Sequence, residues 1–192
     1  SIPGMINLVL KRCEADFEED RPGLVGDALR LIWAGRRGVS EKELMDLLGN
    51  DGQPLPYHFW SPLFLTLEHA FISKKGILSF AHEYIQKSVE QRYLSTEKNK
   101  KSVHARLAEY FENLDGFHKR KVEELPWQLA KSQQWQSLYN CLSDLKMFQE
   151  IWENDVYDLK KYWVFIKNHT SLNEISAYQH VVDNPDGHPT HL

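Results

Sequence analysis

The sequence predicts a mostly α fold with one small β-hairpin, arranged as two modules. Three observations carry this. Apolar residues recur at helical spacing through most of the chain, and the period changes to two only around Phe71–Phe80. A length of 192 residues suits one ordinary domain or two small ones with real cores.

The first helix is read over Pro3 to Phe17, where Ile6, Val9, Leu10, Cys13 and Phe17 share a stripe and Pro3 suits a first turn. Asp20 to Gly23 breaks it. Leu24, Val25, Ala28, Leu31 and Ile32 then define a second helix running to about Ala34. In GRRGVSEKELMDLLG, Gly38 and Val39 make a short extended step. Ser40 caps a third helix, with Glu43 completing a capping box, and Gly49 stops it. Leu44, Leu47 and Leu48 are its buried face.

YHFWSPLFLTLEHA, Tyr57 to Ala70, reads as one mostly buried helix, with Pro62 tolerable near its first turn. Phe71-Ile72-Ser73, Lys74-Lys75-Gly76 and Ile77-Leu78-Ser79-Phe80 read as strand, tight turn and strand. The order helix, short strand, helix, helix, strand, wing, strand describes a winged-helix domain. A lone hairpin is marginal in water, so these strands must pack on the helices.

Beyond Glu83 helix follows helix. Tyr84, Ile85, Val89 and Tyr93 line one; Val103, Leu107, Tyr110, Phe111 and Leu114 line the next, after a solvated run from Lys98 to Lys101. Others span Lys119 to Lys131, Trp135 to Leu145, Phe148 to Glu153 and Asp155 to Lys167. Short helices with aromatic faces and brief links predict an α-helical hairpin array, although no clean 34-residue period emerges.

The balance of 23 basic to 27 acidic residues, formally -4, provides no global field toward nucleic acid or anionic lipid. No apolar run is long enough to span a membrane and no signal-peptide pattern opens the chain, so a soluble protein is expected. Cys13 and Cys141 lack metal-ligand spacing and read as reduced thiols. A start at Ser1 without methionine and the ending DNPDGHPTHL are expected of a piece of something larger.

The Tyr57 to Ala70 helix, third in the winged-helix order, has no lysine or arginine, and the wing offers only Lys74 and Lys75. Packing against protein is therefore favoured over a major-groove role. His82 closes the last strand and opens a helix. Its imidazole either satisfies nearby backbone groups or, beside helix amides and a favourable dipole, contacts a phosphate.

Phosphate-loop, dinucleotide, zinc-protease and nucleophile-elbow motifs are all lacking. Glu41, Glu43, Asp46, Glu109, Glu112, Glu123 and Glu124 are read as solvated helix surface. His180, His188 and His191 lack compact ligand spacing, so no metal site is assigned. Trp33, Trp60, Trp127, Trp135, Trp152 and Trp163 are read mostly as core, a few as partner surface.

The succession LIWAGRRGVSEKELMDLLG, FISKKGILSFAHEYIQKSVEQRYL, HARLAEYFE, ELPWQLAKSQQWQSLYNCLSDLKMF and YDLKKYW resembles the nephrocystin-3-like and tetratricopeptide repeat protein 41-like group of STAND (NACHT-type) ATPases, over about Ser1 to Trp163. It resembles the region following their nucleotide-binding domain. The resemblance implies a linking helix over 1–23, a winged-helix domain over 24–94 and a tetratricopeptide-like region over 95–182, and the ending itself reads as a flexible tail over 183–192.

It also implies a non-catalytic, cytoplasmic regulatory fragment. Its winged helix would pack on the protein's own nucleotide-binding domain and stabilise the ADP-bound state, while the helical array binds protein partners, with neither nucleic acid nor membrane as partner. ATP or ADP belongs to that neighbouring domain, and no cofactor to this fragment. His82 matches the family's histidine that contacts the ADP phosphate, although Glu83 stands where an aspartate follows it in apoptotic and plant-resistance relatives. A free-standing helical adaptor and a winged-helix DNA-binding module are the alternatives.

Overall fold

The computed structural model describes residues 2–183. The chain divides into two compact units, Ser1–Tyr110 and Phe111–Leu192. The first contains α1 (Ile2–Phe17), α2 (Leu24–Ala34), β1 (Val39–Ser40), α3 (Glu41–Leu48), α4 (Tyr57–Leu67), β2 (Phe71–Lys74), β3 (Ile77–Phe80), α5 (Glu83–Tyr93) and most of α6 (Glu97–Asn113). A 3-10 turn, Glu68–Ala70, separates α4 from β2. From α2 to β3 the elements follow the predicted order.

The first unit is built around α2, whose Leu24, Val25, Ala28, Leu31 and Ile32 are all at most 2% exposed. The 3.6-residue period gathers them on surfaces that meet α1, α3, α5 and β3. The capping box of α3 forms as read: Ser40 Oγ accepts from the Glu43 amide at 3.1 Å, and Glu43 accepts from the Ser40 amide at 2.8 Å. The other end of α3 leaves orphan carbonyls. Arg21 donates to the Leu48 carbonyl at 3.3 Å and Arg106 to that of Leu47.

The sheet order is β1-β3-β2, antiparallel throughout. Val39 pairs with Leu78, and Phe71 with Phe80. Lys75 and Gly76 both have positive φ, 53° and 78°, so the connection is a two-residue turn of the I′ kind that matches strand twist. At Gly38, φ is 102° and a Cβ would lie 1.9 Å from the Leu78 carbonyl oxygen, so only glycine lets β1 reach β3.

The second unit contains the last turn of α6, then α7 (Lys119–Lys131), α8 (Trp135–Ser143), α9 (Leu145–His169) and α10 (Glu174–Asp183). Here α7, α8 and α9 pack on one another, and α10 packs on α8. Leu138, Leu142 and Ile166 are completely buried among them. Within α9 the backbone leaves helical geometry at Asp155, with φ -162° and ψ 97°. Its carboxylate accepts from the amides of Tyr157 and Asp158 at 2.9 and 3.3 Å and so caps the second segment. The break falls where the sequence divides the two predicted helices. A mostly helical chain with one small sheet is thus what the sequence folds into, and the second unit is consistent with a helical array.

Several expectations need correction. Tyr57 to Ala70 is not one mostly buried helix: α4 ends at Leu67 and buries only Trp60, Leu63 and Leu67. A single helical stripe faces the core, so Tyr57 and Leu65 stay 55% and 65% exposed. Pro62 lies in the second turn rather than the first.

Two carboxylates read as solvated are buried. Glu43 is held in its capping box, while Glu124 takes Arg120 at 3.1 Å and the Gln128 amide at 2.8 Å. The Lys98 to Lys101 run lies inside α6, and Lys100 is paired with Glu90 at 2.6 Å and Glu97 at 3.3 Å. Of the tryptophans, only Trp60 and Trp163 are buried, and Trp152 is 53% exposed. The sequence reading assigns no helix of its own to Glu174–Asp183, and it placed Asp183, which ends α10, in the tail. The remaining tail, 184–192, lies outside the described residues.

Candidate interaction surface

At the junction of β3 and α5 the chain passes from the central strand of the sheet into a helix. The Ala81 amide donates to the Ala70 carbonyl at 2.9 Å, continuing the ladder one residue past β3. His82 then takes the N-cap position in extended geometry, φ -142° and ψ 143°. Its carbonyl accepts from the amides of Ile85 and Gln86 at 3.1 and 3.3 Å, which leaves the Glu83 and Tyr84 amides as the outward-facing donors of the first turn.

The His82 side chain makes no capping bond and is exposed. Its ring stacks on Tyr84, centroids 5.0 Å apart and planes 13° from parallel. The Glu83 carboxylate meets Lys87 at 2.8 Å. Hydrogen bonding and charge from Lys87 hold the Glu83 carboxyl below its ordinary range, and the same contact raises the Lys87 ammonium. Glu83 therefore stays anionic at neutral pH, with its charge offset by a neighbour. Beside a phosphate, these groups offer one imidazole and two helix amides. That fits a single contact at the rim of an anion held elsewhere, not a cradle.

One turn along α5, an apolar cleft of about 150 Å³ opens against α1, the end of α4 and α2. Met5, Ile6, Val9, Leu29, Ile85 and Val89 line it, with no polar side chain among its walls. Met5 and Val9 are 66% and 47% exposed, and Leu8 beside them is 69% exposed. Sequence reasoning placed Ile6 and Val9 in a core stripe and missed the cleft. A signal was present: MINLVL puts five apolar residues into six positions of α1, more than one helical stripe can bury.

In the second unit, Trp127 lies under the ammonium groups of both Lys131 and Lys161, at 4.5 and 5.2 Å from its ring centre. Tyr157 and Val164 are 78% and 53% exposed on the same helix, α9, as Lys161. Both units therefore display apolar surface suited to a protein partner.

The chain is homologous to long repeat-containing proteins. It is 37% identical over 167 residues to a TPR repeat-containing protein of Dictyostelium discoideum, and that alignment takes in 86% of this chain and 10% of the relative. It is 27% identical over 172 residues to nephrocystin-3 of Mus musculus and 29% over 154 residues to nephrocystin-3 of Homo sapiens. These alignments take in 84% and 74% of this chain, but only 12% and 11% of those proteins. The chain spans about a tenth of the length of the curated relatives it matches. Each alignment is longer than either unit and so runs through both. No protein-family model matches the chain, and no solved structure does.

Other predicted sites stand as follows. His188 and His191 lie outside the described residues, as does the side chain of His180. Among the described residues, no group of three or more histidine, cysteine or acidic side chains is placed to hold a metal. No described helix is long and apolar enough to cross a membrane. The exposed face of α4 presents Tyr57, His58, Leu65 and Thr66 without a cation.

Proposed function

We propose that residues 24–94 are the winged-helix module of a nephrocystin-3-like STAND ATPase of the NACHT type, and that the second unit is a tetratricopeptide-like array that binds protein partners. Homology to a TPR repeat-containing protein and to nephrocystin-3 supports this reading. So does the order α2-β1-α3-α4-β2-β3, with an α4 whose uncharged outer face suits protein better than DNA. Two free cysteines agree with a reducing compartment such as the cytoplasm.

The observation that carries the regulatory part is the exposed apolar cleft one turn from an exposed His82 imidazole that makes no capping bond. In this reading α1 links the module to the protein's own nucleotide-binding domain, and that domain covers the cleft. ADP, when held there, supplies the phosphate charge. His82 donates from a ring nitrogen to a phosphate oxygen, and the Glu83 and Tyr84 amides add helix-terminal donors. Met5, Val9 and Ile85 bury apolar surface and exclude water around that contact. A contact made in the ADP-bound arrangement and lost after exchange biases the protein toward its resting state.

The test uses the full-length protein. His82→Ala is expected to speed ADP release by about tenfold, the scale of one charge-assisted hydrogen bond. Release and exchange equal to wild type would remove the phosphate contact. Val9→Asp, at an exposed position, tests the cleft separately. If it too leaves nucleotide exchange unchanged, the free-standing adaptor is the surviving function.

A further inference from the structure

Between α2 and α6 the first unit holds a second cleft, of about 220 Å³, and this one is polar. Its walls are Asp27, Arg30, Asn99, Ser102, Val103 and Arg106. The α6 residues stand at positions i, i+3, i+4 and i+7, so a single helical face supplies them.

The charges in this cluster do not balance. Asp27 is the shared partner of Arg21, at 2.9 Å on one carboxylate oxygen, and of Arg30 on the other. Arg106 adds a third guanidinium, whose assigned acceptor is the neutral Leu47 carbonyl. Arg21 lies outside the walls, so the cleft itself carries Arg30 and Arg106 against Asp27, a net positive charge in a chain that is formally -4.

Hydrogen-bond donors remain as well. Arg30 uses Nε on the Gly26 carbonyl at 3.1 Å and Nη2 on Asp27, which leaves Nη1. Arg106 uses only Nη2, which leaves Nε and Nη1. The Asn99 amide and the Ser102 hydroxyl stand on the same wall. The volume equals about seven waters, enough for a phosphoryl group and its linking atoms.

We propose that this cleft binds a phosphate monoester dianion. An anion answers the net positive charge of the walls, and several oxygens in tetrahedral array match donors spread over two helices better than a planar carboxylate does. The monoester is carried either by a phosphorylated side chain or by a free nucleotide, and the cleft chemistry is the same for both. The site is independent of the nucleotide-domain reading, since its walls include neither His82 nor any residue of the apolar cleft.

The experiment titrates the intact chain with inorganic phosphate, O-phosphoserine and AMP, following backbone amide shifts. Saturable shifts on α2 and α6 are expected. Arg30→Gln should weaken binding at least about tenfold by removing one charged donor group. Ser102→Asp, at an exposed position, should abolish binding by placing a carboxylate in the cleft, with the unfolding midpoint of each variant showing that the fold persists. Tighter phosphoserine than AMP assigns a phosphorylated side chain, and the reverse assigns a nucleotide. Shifts that fail to saturate, or dissociation constants unchanged in both variants, would overturn the proposal.

Discussion

Glu14 ties α1 to the far end of α5. Its carboxylate accepts from Arg92 Nε at 2.9 Å and Nη2 at 2.5 Å, and from the Tyr93 hydroxyl. Hydrogen bonding from Arg92 outweighs burial and holds the Glu14 carboxyl below its ordinary value of 4.5, while burial, then Glu14, pushes the Tyr93 phenol up. A carboxyl depressed in the folded state adds stability above its unfolded value, and that stability is lost as pH falls through the folded one. Glu14→Gln should therefore cost about 1–2 kcal/mol at pH 7 and progressively less below pH 4.5, measured by urea unfolding across pH. A deficit that stayed constant down to pH 3 would show that packing, not charge, makes this tie. At this scale the sequence was legible only where partners are local. Ser40 and Glu43 name each other through three-residue spacing, whereas Glu14 and Arg92 stand 78 residues apart and meet only through folding. Glu124 shows both limits: Arg120 four residues before it was visible, but its burial depends on where α7 packs.

Among elements, β1 depends most on one residue. It is two residues long, pairs with β3 through Val39 and Leu78, and is preceded by a glycine that no other residue can replace without a clash. Gly38→Ala combines a positive φ with backbone in the way, so it should destabilise by about 3 kcal/mol or more and release β1 from the sheet. Gly52→Ala is the control, since Gly52 has φ +73° but nothing within 4 Å of a Cβ, and should cost only about 1–2 kcal/mol. Equal losses in denaturant unfolding would mean that the Leu78 contact is soft. The hairpin, β1 and the break in α9 were legible because each is written in a few adjacent residues: Lys75-Gly76, Gly38-Val39 and Asp155. The outer face of α4 was not, since Leu65 and Phe59 look alike in sequence and only the position of neighbours such as α1 and β2 decides which is covered. The candidate site divides in the same way. His82 could be placed at a strand-to-helix junction from its neighbours, but the cleft beside it takes residues from α1, α2, α4 and α5.

For the molecule as a whole, the two cysteines happen to report one on each unit. Cys13 lies in α1 and is 1% exposed, and burial raises its thiol above the ordinary 9.0. Cys141 lies in α8, where burial, then the charges of Asp144 and Glu112, push its thiol up to about 12. Only the thiolate attacks a disulfide reagent, and at pH 8 a thiol of that pKa is ionised in roughly one molecule in ten thousand. The native chain should thus react slowly at both positions with Ellman's reagent, and denaturant should release two thiols, since neither cysteine is in a disulfide. Labelling then becomes a local measure of opening. With Cys141→Ala only the first unit is read, and with Cys13→Ala only the second. Each unit has its own buried core, so the labelling midpoints in urea should differ, each following the unfolding of its own unit. If both positions instead became reactive at one midpoint, coincident with loss of helical circular dichroism, Ser1–Tyr110 and Phe111–Leu192 would be a single cooperative structure, and the second unit would not act as a separate interaction array.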